Sequence, residues 1–263
     1  MIGLERSAGL SASLVQGTLY RHETLTNQSA ARAASAASAR LYVFLEGDGS
    51  PWSEDGQRPA ADPTPHEPLG LELAARSTDH TVLYVGRPCY FSAHADPACT
   101  PDLWTGARYS TGVVDSMAAV VNRYVDEHGF APVVLVGYSG GGTLAVLMAP
   151  RIPSVRAVVT IAANLDVAAW TRLHGYLPLT GSLDPSTQPP LESPLIQIHL
   201  VGGHDSNVPG HLNQQYLRAQ ENPQIWQYPS FDHVCCWVKQ WPTILKRLDA
   251  SLSDSKPGPR ADR

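Results

Sequence analysis

Six short runs rich in β-branched and aromatic residues recur along the chain: 41-LYVFLEG-47, 80-HTVLYVG-86, 132-PVVLVGY-138, 155-VRAVVTIAA-163, 195-LIQIHLVGG-203 and 224-QIWQY-228. Unbroken apolar strands of this length are typical of a sheet covered on both faces. Helical spacing fills several of the intervals. In 112-GVVDSMAAVVNRYVDEHG-129, Val113, Met117, Val120, Val121 and Tyr124 fall on one side and Gly129 supplies a stop. The segments 143-TLAVLMA-149, 211-HLNQQYLRAQEN-222 and 234-VCCWVKQWPTILKRLDASL-252 read similarly, with Pro242 expected to kink or restart the last. Strand and helix in alternation predict an α/β fold, a mainly parallel sheet with helices on both faces and right-handed crossovers.

The 263 residues, 43% of them hydrophobic, suffice for one sizeable core, so residues 1–252 are expected to form a single domain. Within it, 29–40 is a low-complexity Ala/Ser tract that is either a connector or a short surface helix, and 253–263 has the composition of a disordered tail. A net charge of -5, with 19 Lys and Arg and no basic run, speaks against a nucleic-acid partner. No stretch approaches the roughly 18 apolar residues of a membrane span. The start, MIGLERSAGLSASLVQG, lacks a basic region followed by an apolar run, so no secretory leader is visible. A soluble chain is expected, in the cytoplasm or, had a leader been removed, in the periplasm or outside the cell.

Chemistry concentrates in 137-GYSGG-141, a G-x-S-x-G match lying directly after a predicted strand and before a predicted helix. Small neighbours let the chain turn sharply there and present Ser139 at a helix N-terminus. A serine hydroxyl needs a base and an orienting acid, and in this context they follow in the order Ser, Asp or Glu, His. Asp205, in 202-GGHDSNVPG-210, and His233, in 230-SFDHVCCW-237, each fall just beyond a strand end, where functional groups gather in open α/β sheets. Taken alone, Asp205 reads equally well as a turn-forming aspartate. Asp166, after the preceding strand, is the competing acid.

With these residues the chain resembles the serine hydrolases of the α/β-hydrolase superfamily over roughly residues 14–252. The motifs that carry the resemblance are G-Y-S-G-G, 203-GHDSNVP-209 and the late Asp-His pair. The resemblance implies attack by Ser139 on a carbonyl, proton transfer by His233, and orientation of that imidazole by Asp205. It also implies an oxyanion hole made by the backbone N–H of Gly140 and one from the loop 46-EGDG-49. In this loop Glu46 stands where the family usually has histidine, which makes Asp48 the second donor and Gly49 the next candidate.

Trp52, Tyr138, Trp104 and Trp170 are candidate pocket residues, in a pool with Tyr90, Phe91 and Tyr176. The loop 86–110 is the expected specificity wall, and the short segment 164–193 leaves no room for a large cap. Cys89 and Cys99 either bridge or remain two buried thiols, whereas Cys235 and Cys236 are expected to pack as buried apolar residues. Zinc-type spacing is absent among His199, His204, His211, His233 and the late cysteines, so neither metal nor cofactor is expected. The implied activity is carboxylic ester hydrolysis through an acyl-serine, acting on a small or lipid-like ester. Thioesterase, lysophospholipase and acyltransferase activities use the same three residues, and a non-catalytic binding protein on the same fold is the reading from another class.

Overall fold

The computed structural model describes residues 9–27 and 40–254. The Ala/Ser tract therefore lies outside the described residues except for Arg40, as does the tail beyond Asp254. Among the described residues, eight strands form one sheet in the order β1-β2-β4-β3-β5-β6-β7-β8. They are β1 (Leu10–Gln16), β2 (Arg21–Asn27), β3 (Leu41–Leu45), β4 (Thr81–Val85), β5 (Val133–Tyr138), β6 (Val155–Ile161), β7 (Ile196–Gly202) and β8 (Gln224–Tyr228).

From β3 to β8 every pairing is parallel, while β1 and β2 form an antiparallel hairpin added at the β4 edge. All five residues of β3 and of β4 are buried, which is why both read as continuous apolar runs. The hairpin carries no such signal. Strand β1 is exposed along most of its length, and β2 buries the polar residues His22, Glu23 and Thr24.

Among the described residues, six α-helices accompany the sheet: α1 (Leu69–Ala75), α2 (Thr111–His128), α3 (Gly140–Met148), α4 (Val167–His174), α5 (Gln214–Ala219) and α6 (Trp237–Asp254). Helix α2 starts where the Ser110 side chain accepts the N–H of Val113 and ends at Gly129, whose φ is 72°. It packs against α3, and α1 packs against α6. The segment expected at 211–222 is a 3₁₀ turn, Gly210–Asn213, followed by α5.

Two expectations need correction. Helix α6 runs through Pro242 as a single element without restarting and takes in Ser253 and Asp254 of the predicted tail. The proline lies within the first two turns, and the helix is held by burial of Trp237, Trp241, Ile244, Leu245 and Leu248. Each such side chain stabilises by about 1.5–3 kcal/mol, enough together to offset one missing helix hydrogen bond. Cys235 and Cys236 are not a buried apolar pair. They are disulfide-bonded to each other across a cis peptide that brings their Cα atoms to 3.1 Å, with Cys235 exposed.

Candidate active site

The turn after β5 is the point from which the site is built. Ser139 has φ 51° and ψ -122°, a backbone region that side-chain-bearing residues avoid. Its N–H donates to the carbonyl of Ile161 at the end of β6, and its carbonyl accepts the N–H of Gly142. A Cβ on Gly137 would stand 2.1 Å from the carbonyl oxygen of Gly141, so strand and helix can approach this closely only if residue 137 has no side chain, and a Cβ on Gly141 would stand 2.3 Å from the carbonyl oxygen of Leu45. Ser139 is thereby fixed at the mouth of α3, half-exposed.

Asp205 and His233 converge on it from the ends of β7 and β8. Nε2 of His233 lies 3.1 Å from Oγ of Ser139, and Nδ1 of the same ring lies 2.9 Å from Oδ2 of Asp205. A carboxylate oxygen only accepts, so Nδ1 carries the hydrogen and Nε2 is left as the acceptor for the serine proton. The other oxygen of Asp205 accepts the N–H groups of Asn207 and Val208 at 2.9 and 2.8 Å. The Asp205 side chain is fully buried, and that of His233 is 16% exposed.

The His233 loop is held from both sides. Asp232 accepts the N–H groups of Val234 and Cys235, bonds that keep its carboxyl below the usual range, and Trp237 donates to the carbonyls of Asp232 and His233. The competing acid is occupied elsewhere. Asp166 caps α4 by accepting the N–H of Ala169 at 2.8 Å, and burial pushes its carboxyl up.

Glu46 is buried, and its carboxylate accepts the N–H groups of Gly47, Gly70 and Leu71, joining the β3 loop to the start of α1. Burial drives its pKa up against the pull of those three bonds. Since the N–H of Gly47 goes to Glu46 and that of Ser50 to the carbonyl of Pro63, Asp48 and Gly49 are the loop positions left to consider as oxyanion donors. The Asp48 carboxylate is itself clamped by Arg87, Arg108 and Tyr109.

The candidate pocket residues separate. The ring of Tyr138 lies 5.4 Å from that of His233. Trp170 donates to the Asn207 side chain, on the turn that carries Asp205, and packs against His174 and Tyr176. Trp104 is buried in the core, whereas Trp52 is largely exposed and bridges to Pro59. Cys89 and Cys99 are disulfide-bonded within the 86–110 loop, enclosing the 3₁₀ turn Phe91–Ala95, and a second 3₁₀ turn, Pro101–Leu103, follows the bridge.

A groove of about 470 Å³ runs beside the site between Tyr138, Leu69, Val234, the Cys235–Cys236 bridge, Val238 and Lys239. Of this wall only Tyr138 is a pocket candidate from the sequence, because the other residues come from two further segments, 67–72 and 234–239, with no shared spacing. A larger cavity of about 1280 Å³ lies by the amino-terminal ends of β5 to β7 and contains none of the three residues at the elbow. Among the described residues no group of three or more His, Cys, Asp or Glu side chains could hold a metal ion, and no helix is long and apolar enough to cross a membrane.

Comparison with known proteins agrees with this geometry at the level of the fold. A family model described as the alpha/beta hydrolase fold matches residues 90–182. Among solved structures, a bacterial membrane phospholipase A is 17% identical, with a TM-score of 0.60 over 96% of this chain and 89% of that one. A serine hydrolase without lid from Xanthomonas campestris is 12% identical, with a TM-score of 0.58 over 95% and 97%. An esterase from Pyrococcus furiosus is 11% identical, with a TM-score of 0.61 over 95% of each chain. No curated protein matches by sequence. The chain has the α/β-hydrolase fold.

Proposed function

We propose that the chain is a serine hydrolase that cleaves carboxylic esters through an acyl-enzyme intermediate on Ser139. The observation that carries the reading is the continuous hydrogen-bond relay from Ser139 through His233 to Asp205, set on a strained turn between β5 and α3. In this mechanism Nε2 of His233 takes the hydroxyl proton as Oγ attacks the carbonyl carbon. The imidazolium then returns that proton to the leaving alcohol. Asp205 keeps the ring in the tautomer that can accept. The developing oxyanion is received by the backbone N–H of Gly140 and that of Asp48. Water, activated by the same imidazole, completes the cycle by hydrolysing the acyl-serine, and no cofactor takes part.

The groove beside Tyr138 gives an acyl chain an open, partly apolar path, and the connection from β6 to β7 contains only α4 and one 3₁₀ turn, so nothing encloses the substrate from that side. The test is covalent labelling by a fluorophosphonate together with turnover of p-nitrophenyl esters of increasing chain length, an acyl-thioester and a lysophospholipid. Ser139→Ala is expected to lose both labelling and turnover, the latter by at least roughly 10³-fold. Undiminished turnover in the purified variant would sink the mechanism. A preference for the thioester or the lysophospholipid would keep the residues and reassign the substrate.

A further inference from the structure

Asp48 does more than lend a peptide to the loop after β3. Its carboxylate receives Nη2 of Arg87 at 2.7 Å on one oxygen and Nη1 of Arg108 at 2.9 Å on the other, while the hydroxyl of Tyr109 lies within 2.8 Å of both. Its carbonyl accepts the hydroxyl of Tyr90 at 2.7 Å. The two arginine side chains are 1% and 4% exposed.

The cluster lies directly against the elbow. A Cβ on Gly140 would stand 2.0 Å from Oδ1 of Asp48 and 2.5 Å from the Tyr109 hydroxyl. Hence the carboxylate and the phenol pack on the Cα of the residue whose N–H is proposed to meet the oxyanion. Two guanidiniums face one carboxylate, and both phenols stay neutral because burial pushes them up, Tyr90 to about 12. Within this cluster of Asp48, Arg87, Arg108, Tyr90 and Tyr109, one positive charge is therefore left over. Nη1 of Arg87, also buried, has no hydrogen-bond partner among the described residues.

The geometry points to Arg87, Arg108 and Tyr109 as positioning residues for the oxyanion hole: they fix the Asp48 peptide opposite Gly140 and leave a buried positive charge behind both donors. This inference rests on the serine-hydrolase reading. A buried charge at this place acts most strongly when the carbonyl oxygen becomes negative, because low-dielectric surroundings screen it little. Its removal therefore lowers the rate of acylation more than substrate binding.

Arg108→Met is the informative variant, since it leaves Arg87 and Asp48 as a balanced pair. Its kcat is expected to fall roughly tenfold, less than the ~10²–10³-fold of losing a direct oxyanion donor, with KM changed less than about twofold. The inhibition constant of an alkylboronic acid, which forms an anionic tetrahedral adduct on Ser139, should rise in parallel. Arg108→Lys should restore most of both. Tyr109→Phe removes one hydroxyl, keeps the ring, and is expected to fall about threefold in the same two readouts; it carries the test if Arg108→Met does not fold. Unchanged kcat and boronate affinity in the folded variants, or failure of Arg108→Lys to restore them, would overturn the inference. Loss of the serine-hydrolase reading itself would show separately, as a wild-type chain whose ester turnover survives Ser139→Ala.

Discussion

Asp205 uses its two carboxylate oxygens differently. One accepts the N–H groups of Asn207 and Val208 and so builds its own turn, while the other faces Nδ1 of His233. The bonds that build the turn and the bond to the ring on which the proposed orienting role rests are thus made by one side chain. Asp205→Asn follows from this division. Its amide oxygen can keep the turn, but its NH₂ then faces Nδ1 and favours the tautomer with hydrogen on Nε2, which cannot accept from Ser139. Steady-state kinetics are expected to show a loss of roughly 10³–10⁴-fold in kcat with the fold retained. Asp166→Asn, by contrast, replaces one good helix cap with another and should change activity less than about threefold. A larger loss in the Asp166 variant would move the orienting role to that residue.

Among the elements, the 86–110 loop joins the disulfide to the site. Arg87, Tyr90, Arg108 and Tyr109 all lie on it or at its ends, and the Cys89–Cys99 bridge closes a span of 10 residues inside it. Chain-entropy arguments give such a closure about 3 kcal/mol of stabilisation. Cys89→Ser/Cys99→Ser should unfold at correspondingly lower denaturant in equilibrium titrations, with an unchanged pattern for the wild type under non-reducing conditions.

What the sequence made legible follows from the same physics. Strands β3 to β7 were readable because they are largely buried on both faces, and β8, with Trp226 alone buried, from its aromatic residues; the convergence of Ser139, Asp205 and His233 was foreshadowed because each follows the end of one of these strands. The β1–β2 hairpin was not, since His22, Glu23 and Thr24 fill interior positions with hydrogen-bonded polar groups. Helix α1 is too short to show periodicity and follows a proline-rich stretch. The Arg87–Asp48–Arg108 cluster obeys no motif, since its members are separated by 39 and 60 positions. The bridge between the adjacent Cys235 and Cys236 has no signature in the residue pattern.

On the scale of the whole molecule, two buried histidines tie folding to pH. His22 bridges the carbonyl of Gly86 and the hydroxyl of Ser116, and His199 in β7 meets Thr160. Burial lowers both to about 4 from 6.5. Between those values the unfolded chain binds protons that the folded chain refuses, so stability is full above about pH 6.5 and is lost as pH falls toward about 4. Denaturant midpoints measured from pH 7.5 to 4.5 should decline accordingly, and His199→Gln should flatten the slope. A midpoint independent of pH over that range would show that these two rings do not stay neutral in the folded state.

The connection from β6 to β7 gives the molecule another property. Its one helix, α4, is pinned by the Asp166 cap and by the bond from Trp170 to Asn207, while the Leu177 side chain beyond it is 82% exposed. For protein engineering, that tip is an attachment point for foreign sequence. A longer lid grafted near Leu177 would hang from two parallel strands whose spacing does not depend on it, so substrate preference could be rewritten there while the elbow keeps its register.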